Sequence, residues 1–329
     1  MIPTIKEIAA KAKVSIATVS RALNNDPRVA GETRKKILDL AKQLNYSPNI
    51  LARNFVKKKT NILGMILPEI SDEFFTEIIK GVDEVTYEKG YYTIIASSHK
   101  YESLEDEIIT FIRNGLFSGL ILLLSDLKPK LEAVLLESHI PVVLINSNTK
   151  VKNFDTIALD NYEGSYKMTK YLITGKKYSR LCYITGPQKN DDSFLRKEGF
   201  IDACKEYGVS FTIEQGDFTK ESGYKGCKKQ LKSKNKPQVF VAANDMMAIG
   251  CYDFMRESGL RIPSDIGVVG FDDIFVAQYL TPPLTTIRVH IEEIGKSAAD
   301  ILIKRIKKEI MPAKLSIKAS SELIIRDSC

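Results

Sequence analysis

No apolar run in this chain of 329 residues approaches the ~20 needed to cross a bilayer. The opening stretch MIPTIKEIAAKAK also lacks the apolar centre and cleavage site of a secretory signal. Cysteine is sparse: Cys182, Cys204, Cys227, Cys251 and Cys329 are odd in number, widely spaced and form no C-x-x-C pair. That excludes a disulfide framework and reads as buried or stray thiols in a reducing compartment, so a cytoplasmic protein is expected. Histidine is rarer still, and His99, His139 and His290 are scattered. There is no H-E-x-x-H and no G-x-S-x-G. Gly295-Lys296-Ser297 looks like the tail of a phosphate-binding loop, but His290 stands where that loop needs glycine, and the segment lies in a helical pattern. No catalytic constellation emerges. The chain does not read as an enzyme, and no cofactor or metal is called for.

The charge is unevenly placed. Residues 1–60 carry 13 Lys/Arg against 4 Asp/Glu, while the remaining chain carries 35 against 37. The whole basic excess sits on a small N-terminal piece, which suits a polyanion partner bound through counterion release.

Within that piece, TIKEIAAKAKVSIATVSRALN spans Thr4 to Asn24. Thr4 and Glu7 make a capping box, with Ile5, Ile8 and Ala9 on one helical face. The helix should stop near Lys13, and Ser15 is a natural N-cap for a second one. There Val19, Ala22 and Leu23 face inward, leaving Ile16, Ala17, Ser20 and Arg21 outside. A third helix is expected over Glu32–Leu44, capped by Gly31, with Ile37, Leu38, Ala41 and Leu44 as its apolar stripe. Arg34, Lys35, Lys36 and Lys42 read as solvated charges. Two short helices joined tightly and followed by a third are the pattern of a helix-turn-helix reader of DNA. A helical hairpin inside an ordinary core is the plainer alternative.

Tyr46-Ser47-Pro48-Asn49 opens a further element, with Ser47 as N-cap and Pro48 as first helical residue. The following NILARNFV is too short to persist as a helix alone in water. Lys57 to Lys59 read as a charged linker.

From Asn61 onward, strand and helix alternate. Apolar strands are expected at 62–67, 92–96, 120–124, 142–145, 181–185, 239–242 and 267–270, with helices between them. Fully apolar strands alternating with helices mean parallel sheet covered on both faces, here as two doubly wound lobes. Ligands of such sheets bind beyond the C-terminal ends of the strands. Ser125, Asn146, Asp160, Asn244, Asp245 and Asp272 fall at such ends, although each could equally be a turn or cap residue.

VSxATVSRALN after a capped first helix resembles the DNA-binding head of the lactose-repressor (LacI/GalR) family of bacterial regulators. VAANDMMAIG, VVGFDD and LTPPLTTIR are similar to that family's C-terminal motifs. The resemblance implies an all-α helix-turn-helix DNA-binding head (1–46), a hinge helix and linker (47–60), and a periplasmic-binding-protein-like α/β core (61–329). Its lobes would be about 61–160 plus 290–314 and about 161–289 plus 315–329, with crossings near Asp160, His290 and Leu315. The function implied is a dimeric, ligand-responsive transcription factor, most simply a repressor, on a palindromic operator. Ile16, Ala17 and Arg21 are the expected base readers, the arginine suiting guanine and the apolar pair a thymine methyl. Thr18 and Ser20 are expected at phosphates, and Thr4, Ser15, Asn24, Tyr46, Asn49, Ala52 and Arg53 complete the expected DNA-contacting set. Phe55 stands where the family usually has a leucine wedge in the minor groove and is expected to act as one, with packing in the dimer as the plainer alternative.

In the core, the resemblance assigns Asp272 to ligand hydroxyls or amines, Asn244 to donating and accepting beside it, and Arg196 to a charged fork. Phe74 and Phe218 match positions where relatives place rings against a ligand, although Phe74 could equally be a core residue. The implied effector is a sugar, sugar phosphate or nucleobase, with a lean toward a neutral polyol. A solute-binding module of the same two-lobed fold, without regulated DNA binding, is the rival reading. No heptad pattern follows Cys329, which argues against a tetramer held by a C-terminal coiled coil.

Overall fold

The computed structural model describes residues 3–46, 60–68, 70, 72–97, 101–124, 127–145, 152–310 and 313–329, giving backbone alone for 101–105 and 107. The chain divides into two compact units, Met1–Thr60 and Asn61–Cys329.

In the first unit, helices α1 (Ile5–Ala12), α2 (Ile16–Leu23) and α3 (Gly31–Gln43) enclose a small core. Ile8, Val19, Ala22 and Ile37 are fully buried in it, each large aliphatic contributing about 1.5–3 kcal/mol. Two details depart from expectation. The N-cap of α3 is Ala30, without a side-chain cap bond, and Gly31 is already helical. Leu38 is exposed, because Ile37 and Ala41 already fill the inward face and Leu40 and Leu44 flank it.

The second unit is built on two parallel sheets. In the first, β1 (Ile62–Leu67), β2 (Tyr92–Ser97), β3 (Gly119–Leu123), β4 (Val142–Ile145), β5 (Asp155–Leu159) and β11 (Ser316–Ala319) run in the order β11-β5-β4-β3-β1-β2. Helices α4 (Glu73–Glu88), α5 (Tyr101–Arg113), α6 (Pro129–Ser138) and α11 (Ile291–Lys307) belong to this lobe. The second sheet has β6 (Arg180–Ile184), β7 (Ser210–Glu214), β8 (Val239–Ala242) and β9 (Gly267–Val269) in the order β7-β6-β8-β9. Its helices are α7 (Asn161–Thr174), α8 (Asp191–Glu206), α9 (Lys220–Gln230) and α10 (Asp245–Glu257). An antiparallel ribbon of β10 (Thr286–Val289) and β12 (Ser321–Ile324) packs against α7.

The chain leaves the first sheet after Leu159, returns at His290 into α11, and leaves again only at Ser320. The last crossing was expected near Leu315, but Ser316–Ala319 still pairs with β5 at the sheet edge. Strands β7, β10, β11 and β12 were not expected at all. β7 and β11 are edge strands whose residues are largely exposed, so they lack the continuous apolar run that marks β1 or β8. One apolar cluster runs through both lobes, joining Leu63, Met65 and Ile78 to Val268, Ile287 and Ile294. A second fills the other face of the first sheet. All five cysteines are free and buried, and burial pushes Cys182 and Cys204 up to about 12, so these thiols are inert. Among the described residues no helix is long and apolar enough to cross a membrane.

Candidate functional sites

In the head, Thr4 and Glu7 close the capping box at 3.4 and 3.3 Å, so Thr4 serves the start of α1. Lys13 ends that helix in the left-handed region, φ 58°, and the chain turns at once into α2. Ser15 Oγ accepts from the Thr18 N–H at 3.0 Å and meets the Thr18 hydroxyl at 2.9 Å. Asn24 caps the other end, its Nδ2 donating to Ser20 O at 2.7 Å. With Val19 and Ala22 turned inward, Ile16, Ala17 and Arg21 stand exposed on the outer face of α2, and Ser20 is half-buried. Tyr46 packs against the head core rather than standing free. Arg34 was expected to be solvated; its Nη2 instead donates to Asp26 O at 2.6 Å and braces the loop before α3. Asn49, Ala52, Arg53 and Phe55 lie outside the described residues.

In the second unit, a cavity of about 150 Å³ opens between the two sheets at the C-terminal ends of their strands. The first lobe contributes Pro68, Asp72, Phe74, Phe75, Leu123, Leu124 and Ile145. The second contributes Pro187, Asn190, Asp192, Arg196, Asp217, Phe218, Asn244 and Asp272. Five of the expected residues are thus brought together: Phe74, Arg196, Phe218, Asn244 and Asp272. Asp160 does not line the cavity; its carboxylate pairs with Lys318 on β11 at 2.7 Å. Ser125 and Asn146 lie outside the described residues.

Arg196 is a pillar of this wall. It is 4% exposed, and Nε donates to Asn161 Oδ1 at 2.7 Å and Nη1 to Ala243 O at 2.6 Å. Nη2 lies 3.1 Å from Asp272 Oδ1, and the guanidinium carbon sits 3.8 Å from the Phe271 ring centroid. Every guanidinium nitrogen is therefore engaged by protein, and the expected fork toward a ligand is largely used up. Asn244 is similarly committed. Its Oδ1 accepts from Met247 N at 2.9 Å, capping α10, and its Nδ2 donates to Phe218 O at 3.0 Å.

Asp272 and Phe218 are held in the left-handed region, at φ 113° and 71°, a conformation that needs outside support. For Asp272 the support is its N–H donating to Ile287 O at 2.7 Å, with Val289 N donating back at 3.2 Å. Buried Asp245 also fixes the loop, accepting from Thr286 Oγ1 at 2.6 Å and from Ile274 N at 3.0 Å. A Cβ on Gly270 would run into that carboxylate, which is why the loop reads V-V-G-F-D-D. Burial pushes Asp272 up to about 7; Arg196 opposes the rise, and the charges of Asp72 and Asp192 add to it.

Sequence reasoning missed Asp72, Asn190, Asp192 and Asp217. Asp72 and Asn190 cap α4 and α8, so their signal was a helix start rather than a ligand site. Asp217 accepts from Thr219 N at 3.0 Å and Thr219 Oγ1 at 2.6 Å. These bonds, with one from Ser222, outweigh burial and hold its carboxyl below the usual range. Asp192 accepts from Asn161 Nδ2 at 2.6 Å, joining the Arg196 network.

Residues 4–49 match the model of bacterial regulatory proteins of the lacI family, and 171–329 match a periplasmic binding protein-like domain. The probable HTH-type transcriptional repressor ExuR of Bacillus subtilis is 34% identical over 99% of this chain and 98% of its own. The chain belongs to the LacI family. The HTH-type transcriptional repressor PurR of Edwardsiella ictaluri is 33% identical, over 99% of this chain and 96% of that relative. The ribose operon repressor of Escherichia coli is 32% identical, over 92% and 93%. Among solved structures, the transcriptional regulator CelR in complex with cellobiose covers 99% of this chain and 100% of its own, with TM-score 0.76 and 26% identity. The lac repressor dimer bound to operator and the anti-inducer ONPF has TM-score 0.82 at 23% identity, over 100% and 99%, a likeness of fold. Like these LacI-family relatives, the chain is a helix-turn-helix transcriptional repressor with a two-lobed binding core.

Proposed function

We propose that this repressor binds a palindromic operator as a dimer in the cytoplasm, and that a small effector in the inter-lobe cavity sets its operator affinity. The observation that carries the reading is a cavity walled by both lobes in the same chain as an exposed reading helix. A ligand that touches both walls stabilises one lobe arrangement over another, and shifts DNA binding by the difference in its affinity for the two. No catalytic step is required of either unit. In the head, Arg21, Ile16 and Ala17 read base edges. Ser20, Thr18 and Ser15 stand nearer the phosphates, alongside the N–H groups of the α2 first turn. Phe55 wedges the operator centre, with Asn49, Ala52 and Arg53 about it. In the core, Phe74 and Phe218 supply apolar faces and Asp272 accepts hydrogen bonds, with Arg196 holding it in place.

The test is selection of bound duplexes from a random pool by the full-length protein, followed by titration of the selected site with small molecules present. A palindrome whose affinity changes with a ligand supports the reading. Recovery of no preferred sequence contradicts it.

A further inference from the structure

Asp272 and Asp273 are neighbours that serve different spaces. Asp272 lines the inter-lobe cavity, whereas Asp273 lines a separate groove with Arg288, His290, Arg326 and, on α4, Glu73 and Glu77. Asp273 Oδ2 accepts from Arg288 Nε at 2.7 Å, and its Oδ1 lies 2.7 Å from Arg326 Nη2. The side chain is only 5% exposed. Its two arginines stand on the segments that adjoin the later lobe crossings. Arg288 is in β10, just before the return to the first lobe at His290, and Arg326 follows β12, which the chain enters from Ser320. One buried carboxylate thus holds both segments against the loop that carries Asp272. Arg326 extends the hold, donating from Nη1 to Leu284 O at 2.7 Å and from its backbone N–H to Thr285 Oγ1 at 2.9 Å. The first crossing is tied more loosely. Asp160 pairs there with Lys318, but Lys318 is 61% exposed, and an exposed pair of that kind adds little.

We infer that Asp273 is a positioning residue for regulation: it clamps the second and third crossings to the cavity loop, and so fixes the setting of one lobe against the other. The link from that setting to DNA rests on the effector reading above; the clamp itself does not. Removing one member of a buried ionic group leaves the rest uncompensated. Here the remainder is two guanidiniums facing one another, which repel. Glu322 Oε2, 3.8 Å from Arg288 Nη1 on the facing strand, is the alternative acceptor for Arg288. Once Arg288 turns to it, only the backbone bonds of Asp272 to Ile287 and Val289 still join β10 to the loop. A looser joint widens the range of lobe settings, and a ligand in the cavity acts by its preference among those settings.

The test is pulsed electron–electron double resonance on the full-length protein, spin-labelled at an exposed position of each lobe by Glu137→Cys on α6 and Lys205→Cys on α8. Labelled chains are mixed into an excess of unlabelled chain, so that each distance is measured within one subunit. The native thiols are buried and stay unlabelled. Asp273→Asn removes the charge, while asparagine keeps the left-handed backbone, φ 57°, at little strain. Asp155→Asn is the control, because it breaks a similarly buried pair, Asp155 with Arg305 at 2.6 Å, inside the first lobe. The expected result is a widened inter-lobe distance distribution in Asp273→Asn alone, with affinity for the selected palindrome shifted about fivefold or more. A distribution that Asp273→Asn leaves unchanged, or that Asp155→Asn widens as much, overturns the clamp. A widened distribution with unaltered operator affinity keeps the clamp and counts instead against lobe setting as the control of DNA binding.

Discussion

The carboxylate of Glu73, in the first turn of α4, accepts a hydrogen bond from the backbone N–H of Phe275 at 2.6 Å. The two residues belong to different lobes and are 202 positions apart in sequence. Glu73 lies between Asp72 and Phe74, which line the cavity, and Phe275 follows the Asp272 loop. This bond ties the two walls together beside the cavity. Glu73→Ala is expected to weaken effector binding about fivefold, corresponding to ~1 kcal/mol for a solvent-accessible bond. Glu73→Gln keeps an acceptor and is expected to lose less. Calorimetric titration of the three proteins with one ligand checks this, and equal affinities would remove the tie from the account.

Arg196 holds the wall, its guanidinium engaged by Asn161, Ala243 and Asp272. Removing one partner of a buried ion pair typically costs 3–5 kcal/mol. Arg196→Ala is therefore expected to lower the unfolding free energy of the ligand-free protein by about that amount. Arg196→Lys is expected to recover little, since one ammonium cannot serve Asn161, Ala243 and Asp272 together. Urea unfolding without ligand reads this directly. A lysine variant of unchanged stability but lost effector affinity would make Arg196 a ligand fork after all.

Burial lifts Asp272 to about 7, against about 3.9 in an unfolded chain. Between those values the folded form retains a proton that the unfolded form has released, so this group's contribution falls as pH rises from about 4 to about 7. Asp272→Asn removes that titration. The stability of the wild type relative to this variant is expected to decline between pH 5.0 and 7.5, by up to ~1.4 kcal/mol per unit. Parallel unfolding curves for the two proteins across that range would show that Asp272 stays ionised against Arg196.

Arg21 stands exposed on α2. Arg21→Ala is expected to cost ~1–3 kcal/mol on the preferred site and to relax preference at one base pair per half-site. Binding measured to single-base operator variants tests this. Uniform weakening across all of them would instead assign Arg21 to phosphate.

The reading helix was legible because its signals are local: Thr4 with Glu7, Ser15 before Ile16, and an apolar stripe at Val19 and Ala22. The buried strands were legible because β1, β4 and β8 are apolar throughout. Edge strands β7 and β11 were not, since half-exposed polar strands carry no such run. Of the residues expected after strand ends, Asn244 and Asp272 line the cavity, whereas Asp72 and Asn190, which cap α4 and α8, carry in the sequence no more than the signal of a helix start. Asp160 was misplaced because a strand end on the first sheet can also face β11, whose strand the sequence did not reveal. The role of Arg196 was unreadable for a related reason. Its partners Asn161, Ala243 and Asp272 lie on three other segments, and only the folded chain shows its donors already engaged.

The most direct test is operator affinity of the full-length protein, measured by fluorescence anisotropy on its selected palindrome with and without a saturating small molecule that binds the inter-lobe cavity. A change of at least about tenfold, abolished by Asp272→Ala, is predicted. An affinity that stays the same whatever fills the cavity would contradict it.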